Sequence, residues 1–136
     1  PSMVKKARAL GARIVIGHGE TVAEPVEHGT NTAFIKAGVD ILAHPGLITE
    51  AEVRLAKKAG VLLEITARRG HSLTNGHVAR LAVKCGAHLV YNTDSHSPAD
   101  FTPWHAALRI IRGAGLSDKD ADRMQENALA LVEGRR

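Results

Sequence analysis

The chain has 136 residues, 44% of them hydrophobic and only 3% aromatic, which suits one domain with an aliphatic core. Its formal charge of +4 is spread over the pairs Lys5-Lys6, Lys57-Lys58, Arg68-Arg69 and Arg135-Arg136, expected to be solvated faces; with few aromatics for base stacking, this argues against a nucleic-acid partner. A lone Cys85 excludes an internal disulfide and fits a reducing cytoplasm, and no apolar run approaches the ~20 residues of a membrane helix, so no membrane partner and a cytoplasmic location are expected.

In chain order, residues 2–10 read as a helix with Met3, Val4 and Ala7 facing inward. Gly11 then precedes a strand-like run over 12–16 that continues to His18. A short helix over 31–37 ends at Gly38, before the run 39–43 and His44. Thr49-Glu50-Ala51-Glu52 has the form of a capping box, and Val53, Leu55, Ala56 and Ala59 follow at mainly helical spacing. Gly60 separates that helix from the run 61–65. Thr74 opens a helix with the stripe Val78, Leu81, Ala82 and Cys85, and Gly86 leads into the run 87–91. Thr102-Pro103 starts a helix using Trp104, Ala107, Leu108 and Ile111; the last runs from Ser117 to about Glu133, with Leu129 and Val132 on its apolar side. The glycines Gly11, Gly38, Gly60 and Gly86 are 22 to 27 residues apart, the spacing of βα units and not of hairpins.

Strands apolar on both faces belong to a parallel sheet covered by helices. Alternation places Ile14, Ile16 and His18 on one face of the first strand, Leu42 and His44 on one face of the second, Leu62, Glu64 and Thr66 on the third, and Val90, Asn92 and Asp94 on the fourth. On each strand an apolar residue is followed by a polar one toward the C-terminal end. A greasy lower layer under a polar upper layer favours a barrel over an open doubly wound sheet.

Asp94-Ser95-His96 follows the fourth strand, and in an extended chain a carboxylate and an imidazole two residues apart project the same way. With His18 and His44 at two other strand ends, it makes His18, His44, Asp94 and His96 a candidate ligand set for zinc, manganese or iron, with Asp94 and His96 as catalytic candidates. Glu64 is expected to orient a ligand, and Asn92 to support Asp94. Arg68 and Arg69, after the third strand, match a phosphate by the guanidinium fork; His71 is a weaker candidate for substrate contact or proton transfer. Glu20 and Glu24 are pocket candidates in a Gly-rich loop. His28 is expected on the surface, and His77, His88 and His105 away from the site. No phosphate-binding glycine loop and no serine nucleophile elbow is present.

The segments Ile16-Gly17-His18-Gly19-Glu20-Thr21, Asp40-Ile41-Leu42-Ala43-His44-Pro45-Gly46, Leu63-Glu64-Ile65-Thr66 and Asn92-Thr93-Asp94-Ser95-His96 together resemble the polymerase and histidinol phosphatase (PHP) family of metal-dependent phosphoesterases. The resemblance spans approximately residues 1–130. It implies an α/β fold, a distorted TIM-like (β/α)7 barrel with up to three divalent ions, and it carries metal-ligand roles onto His18, His44, Asp94 and His96. The family's opening His-x-His strand is absent. Residues 1–136 are therefore expected to be the C-terminal portion of a single PHP domain, supplying about four βα units, inactive alone and found with its missing N-terminal half or self-associated. The implied activity is hydrolysis of a small-molecule phosphate monoester of histidinol-phosphate type by metal-activated water. The alternative is a non-catalytic barrel serving as a binding or assembly subunit of a nucleic-acid-processing complex.

Overall fold

The computed structural model describes residues 2–134. Six α-helices and four strands alternate: α1 (Ser2–Ala9), β1 (Ile16–His18), α2 (Thr30–Ala37), β2 (Ile41–Ala43), α3 (Glu50–Ala59), β3 (Leu62–Thr66), α4 (Asn75–Cys85), β4 (Leu89–Asn92), α5 (Trp104–Gly113) and α6 (Asp118–Val132). Short 3-10 turns, His71–Thr74 and Pro98–Asp100, precede α4 and α5.

Local chemistry sets the helix boundaries. Thr49 accepts the Glu52 amide while the Glu52 carboxylate accepts the Thr49 amide, and Ser117 and Asp120 do the same for α6. Gly38, Gly60 and Gly86 close α2, α3 and α4 in the left-handed conformation, where a side chain would meet its own carbonyl. Arg8 pairs with Asp40, whose carboxylate also accepts the Val15 amide at 2.6 Å, tying α1 to the starts of β1 and β2.

The strands form one parallel sheet in the order β1-β2-β3-β4, so β1 and β4 are its edges. Ile16 lies opposite Ile41, Ile41 opposite Leu62, and Glu64 opposite Val90. This face carries a small cluster of Ile41, Leu62 and Val90, against which Ala128 and Leu131 of α6 pack. Leu42, Leu63, Ile65 and Leu89 point the other way, into the main core with Ile35, Val53, Val78, Ile111 and Met124. Burying such aliphatic side chains is worth roughly 1.5–3 kcal/mol each. Asn75 clips α4 to β3, its amide donating to Thr66 O at 2.8 Å and its Oδ1 accepting the Thr66 amide at 3.1 Å.

Three expectations are corrected. Leu42 does not share a face with His44: it lies in the helix-covered core, and β2 ends at Ala43, before His44. The buried stripe of α6 is Ala121 and Met124 with Ala128 and Leu131 partly covered, whereas Leu129 and Val132 are exposed, because α6 packs on β4 along the neighbouring helical rows. Met3 is exposed, leaving Val4 to anchor α1. Among the described residues no helix is long and apolar enough to cross a membrane.

Candidate metal centre

The C-terminal ends of the strands collect the polar residues. His18 ends β1, with its ring Nδ1 donating to Gly19 O at 3.0 Å. His44 follows β2 with φ 31°, and Asp94 follows β4 with φ 48°; they are the two non-glycine residues with positive φ among those described. Such backbone costs roughly 1–3 kcal/mol per residue and persists only where surroundings enforce it. At His44 the enforcing group is Glu64, 2% exposed: its Oε2 accepts both the His44 amide at 2.8 Å and the His44 Nδ1–H at 3.0 Å. Asn92 donates to the other oxygen of Glu64 at 2.9 Å.

His71 arrives from the 3-10 turn after β3 and is buried. Its Nδ1 is 2.6 Å from Thr21 Oγ1, and its ring stacks on that of His44 with centroids 4.2 Å apart. His18 meets His44 edge-on at 4.5 Å. Ligand atoms of His44, His71 and Asp94 lie within 4.8 Å of one another. Burial first, then the neighbouring His44, pushes the His71 pKa down, which favours the neutral imidazole that a cation requires.

These residues fit a divalent ion. His44 Nε2 is buried without a hydrogen-bond partner while Nδ1 is held by a carboxylate, the arrangement that aims a histidine at a metal. His71 is likewise fixed through Nδ1. Mixed imidazole and carboxylate donors suit zinc, manganese or iron.

His44 and Asp94 thus come together with Glu64 and Asn92 behind His44, and His18 meets the edge of the His44 ring. The structure does not bring His96 to this cluster: its ring is exposed, with Nδ1 donating to Asp94 O at 2.9 Å. The positive φ of Asp94 breaks the extended alternation that would have aimed both side chains one way. Arg68 reaches toward Asp94 (Nε to Oδ2, 3.9 Å) and Asp100 (Nη1 to Oδ2, 3.6 Å). Amide donation from His96, then the Ser97 hydroxyl, holds the Asp100 carboxyl below its usual range. Arg68 and Arg69 line a cleft with Ala67, Thr93, Ala99, Asp100 and Thr102. His28 is exposed, and His77 bonds Ile48 O at 2.7 Å.

Sequence reasoning ranked His71 low and passed over Thr21 and Asn31. Asn31, 1% exposed, accepts the Glu20 amide and donates to Pro45 O, both at 2.9 Å, joining the β1–α2 loop to the turn after His44. A polar residue in the first turn of a helix was the single available signal for it.

No family model matches the chain. It is 48% identical over 123 residues to an uncharacterized protein of Methanocaldococcus jannaschii, covering 90% of this chain and 56% of that protein. It is 33% identical over 133 residues to a probable phosphatase of Shewanella amazonensis (85% and 52%), and 33% over 114 residues to one of Shewanella oneidensis (72% and 45%). The chain spans about half the length of the curated relatives it matches. A chain in the cryo-EM structure of archaeal ribonuclease P with mature tRNA superposes with a TM-score of 0.77 at 22% identity, over 98% of this chain and 62% of that one. That likeness shows the fold alone: a parallel α/β sheet with covering helices.

Proposed function

We propose that this chain carries part of the metal centre of a phosphoesterase that hydrolyses a small phosphate monoester, histidinol phosphate being the type. The observation that carries the reading is His44, whose Nδ1 is held by Glu64 and whose Nε2 is buried without a partner beside His71 and Asp94. Similarity to proteins named probable phosphatases supports it. In this reading the four strands are consecutive units of a distorted (β/α)7 barrel of PHP type, whose remaining units lie outside residues 1–136.

The ligands are His44, His71 and Asp94, with His18 completing the imidazole group. A bound divalent ion supplies Lewis acidity for water activation and for neutralising the phosphate. Glu64 fixes the His44 tautomer, and Asn92 fixes Glu64. Arg68 and Arg69, beside the acidic rim, bind and orient the phosphoryl oxygens. Water adds to phosphorus, the ester P–O bond breaks, and the leaving alkoxide takes up a proton. His96, held through Nδ1 by Asp94 O, keeps Nε2 free but lies exposed outside the cluster, so the His96→Ala variant tests the wider ligand set.

Metal analysis and a phosphatase assay on the full-length protein test the proposal. Arg68→Ala and Arg69→Ala should raise KM for a phosphate monoester while metal content holds. Protein that takes up no metal and hydrolyses no ester would overturn it. The second reading, a subunit of an RNA–protein assembly, is favoured by the ribonuclease P likeness, which weakens the argument from scattered charge against nucleic acid. RNA binding that survives Asp94→Asn, in protein without hydrolytic activity, would select it.

A further inference from the structure

We propose that Glu24 is a metal ligand, the carboxylate that the β1–α2 loop contributes to this centre; the inference rests on the metal reading above. Glu24 Oε2 lies 3.2 Å from His18 Nε2, and Glu24 Oε1 lies 3.5 Å from His71 Nε2. Donors about 2.0–2.2 Å from one cation stand roughly 3.0–3.5 Å apart around it. The carboxylate therefore spans two imidazoles at the spacing of neighbouring ligands.

Hydrogen bonding sharpens this. His18 Nδ1 is 3.0 Å from Gly19 O, which only accepts, so the ring proton of the neutral imidazole is on Nδ1 and Nε2 presents a lone pair. Glu24 Oε2 also offers only lone pairs. Two acceptors 3.2 Å apart repel unless positive charge lies between them, as a proton or as a metal ion. The surroundings favour the metal: the His44 ring, with its unpartnered Nε2, lies 4.5 Å from His18, and His71, which Glu24 also approaches, belongs with His44 and Asp94 to the group whose ligand atoms converge.

Nor is Glu24 a side chain on a loose loop. Gly19 donates to Ala43 O at 2.9 Å, Asn31 donates its amide to Glu20 Oε1 at 2.9 Å, and Ala23 donates to Thr21 Oγ1 at 3.2 Å. Thr21 in turn holds His71, and Ala23 packs against Gly70. These bonds hold the loop up to Ala23, the residue before Glu24, without requiring a cation to order it.

Titration of the full-length protein with Zn2+ or Mn2+ by calorimetry tests this, comparing wild type, Glu24→Gln, Glu24→Asp and Asp94→Asn, with denaturant unfolding of each metal-free protein. Glu24→Gln should weaken binding by about 10-fold or more, Glu24→Asp should recover part of it, and the metal-free unfolding midpoints should agree. Affinity in Glu24→Gln equal to or tighter than wild type, with Asp94→Asn weakened, would mean that Glu24 pairs only with a proton. That result overturns the ligand role and leaves the centre standing. Unchanged binding in both variants would remove the centre itself, and this inference with it.

Discussion

Glu64→Gln probes the hinge of the candidate centre without changing side-chain volume. The carboxylate is 2% exposed and receives three donors: the His44 amide at 2.8 Å and His44 Nδ1–H at 3.0 Å on one oxygen, and Asn92 Nδ2 at 2.9 Å on the other. A glutamine can keep its oxygen toward His44, but its NH2 then faces the NH2 of Asn92, and one hydrogen bond to a charged acceptor is lost, about 1.5–3 kcal/mol. The two bonds that remain change from a charged to a neutral acceptor and weaken by about half. Together these give an expected loss of roughly 3–6 kcal/mol, read as a lower denaturant midpoint in the metal-free protein. With His44 less firmly oriented, metal affinity should fall by about 10–100-fold, read by calorimetry. A variant with wild-type midpoint and wild-type metal affinity would refute the reasoning, since it would show that His44 keeps its backbone and ring position without the carboxylate.

Gly46→Ala should be among the most damaging single changes, roughly 3–5 kcal/mol by chemical unfolding, because at φ +63° its Cβ would lie 1.7 Å from the backbone oxygen of Glu20. Gly11→Ala, at φ +93° with nothing within 4 Å, should cost only about 1–2 kcal/mol, and equal losses for the two would sink the steric argument. Asp94→Asn should keep the fold, since asparagine tolerates φ 48°, while metal uptake falls; circular dichroism and metal analysis check the two halves. The folded-state pKa of His71 is lowered by burial and by His44, so its contribution to metal-free stability is present above the unfolded value of about 6.5 and lost as pH falls through the lower folded value. Unfolding midpoints should drop between pH 7.5 and 5, less steeply in His71→Asn; identical slopes would rule His71 out as the source.

The regular parts were legible because each rests on local chemistry. Glycine at the ends of α2, α3 and α4, the Thr49 box, and apolar runs after each glycine write the βα alternation directly into the sequence. Alternation stops being a guide where φ changes sign. It placed Leu42 with His44 and Asp94 with His96, yet β2 ends at Ala43 and the backbone turns at His44 and at Asp94. Neither turn is marked by glycine; the His44 turn is enforced by Glu64, 20 residues away in sequence. His71 escaped for a related reason. Its approach depends on the 3-10 turn before α4 and on the Asn75 clip to Thr66, both products of packing between β3 and α4.

The same departures from local rules bear on which function the site serves. An unpartnered buried ring nitrogen at His44 costs about 1–3 kcal/mol, and each positive φ at His44 and Asp94 adds a cost of similar order. A fold used only for assembly gains nothing from these terms: an apolar residue at position 44 with ordinary φ would remove both the buried polar atom and the strain, and position 64 would then need no carboxylate. The costs fall on the residues whose donor atoms converge, His44 and Asp94, and not on the bottom layer of Ile41, Leu62 and Val90. Strain and unsatisfied polarity confined to one rim of an otherwise consistent fold is the pattern expected where binding energy from a ligand offsets them. That distribution bears on the two readings in a way overall similarity does not, because the His44–Glu64 pair leaves a buried Nε2 lone pair poised to meet a ligand.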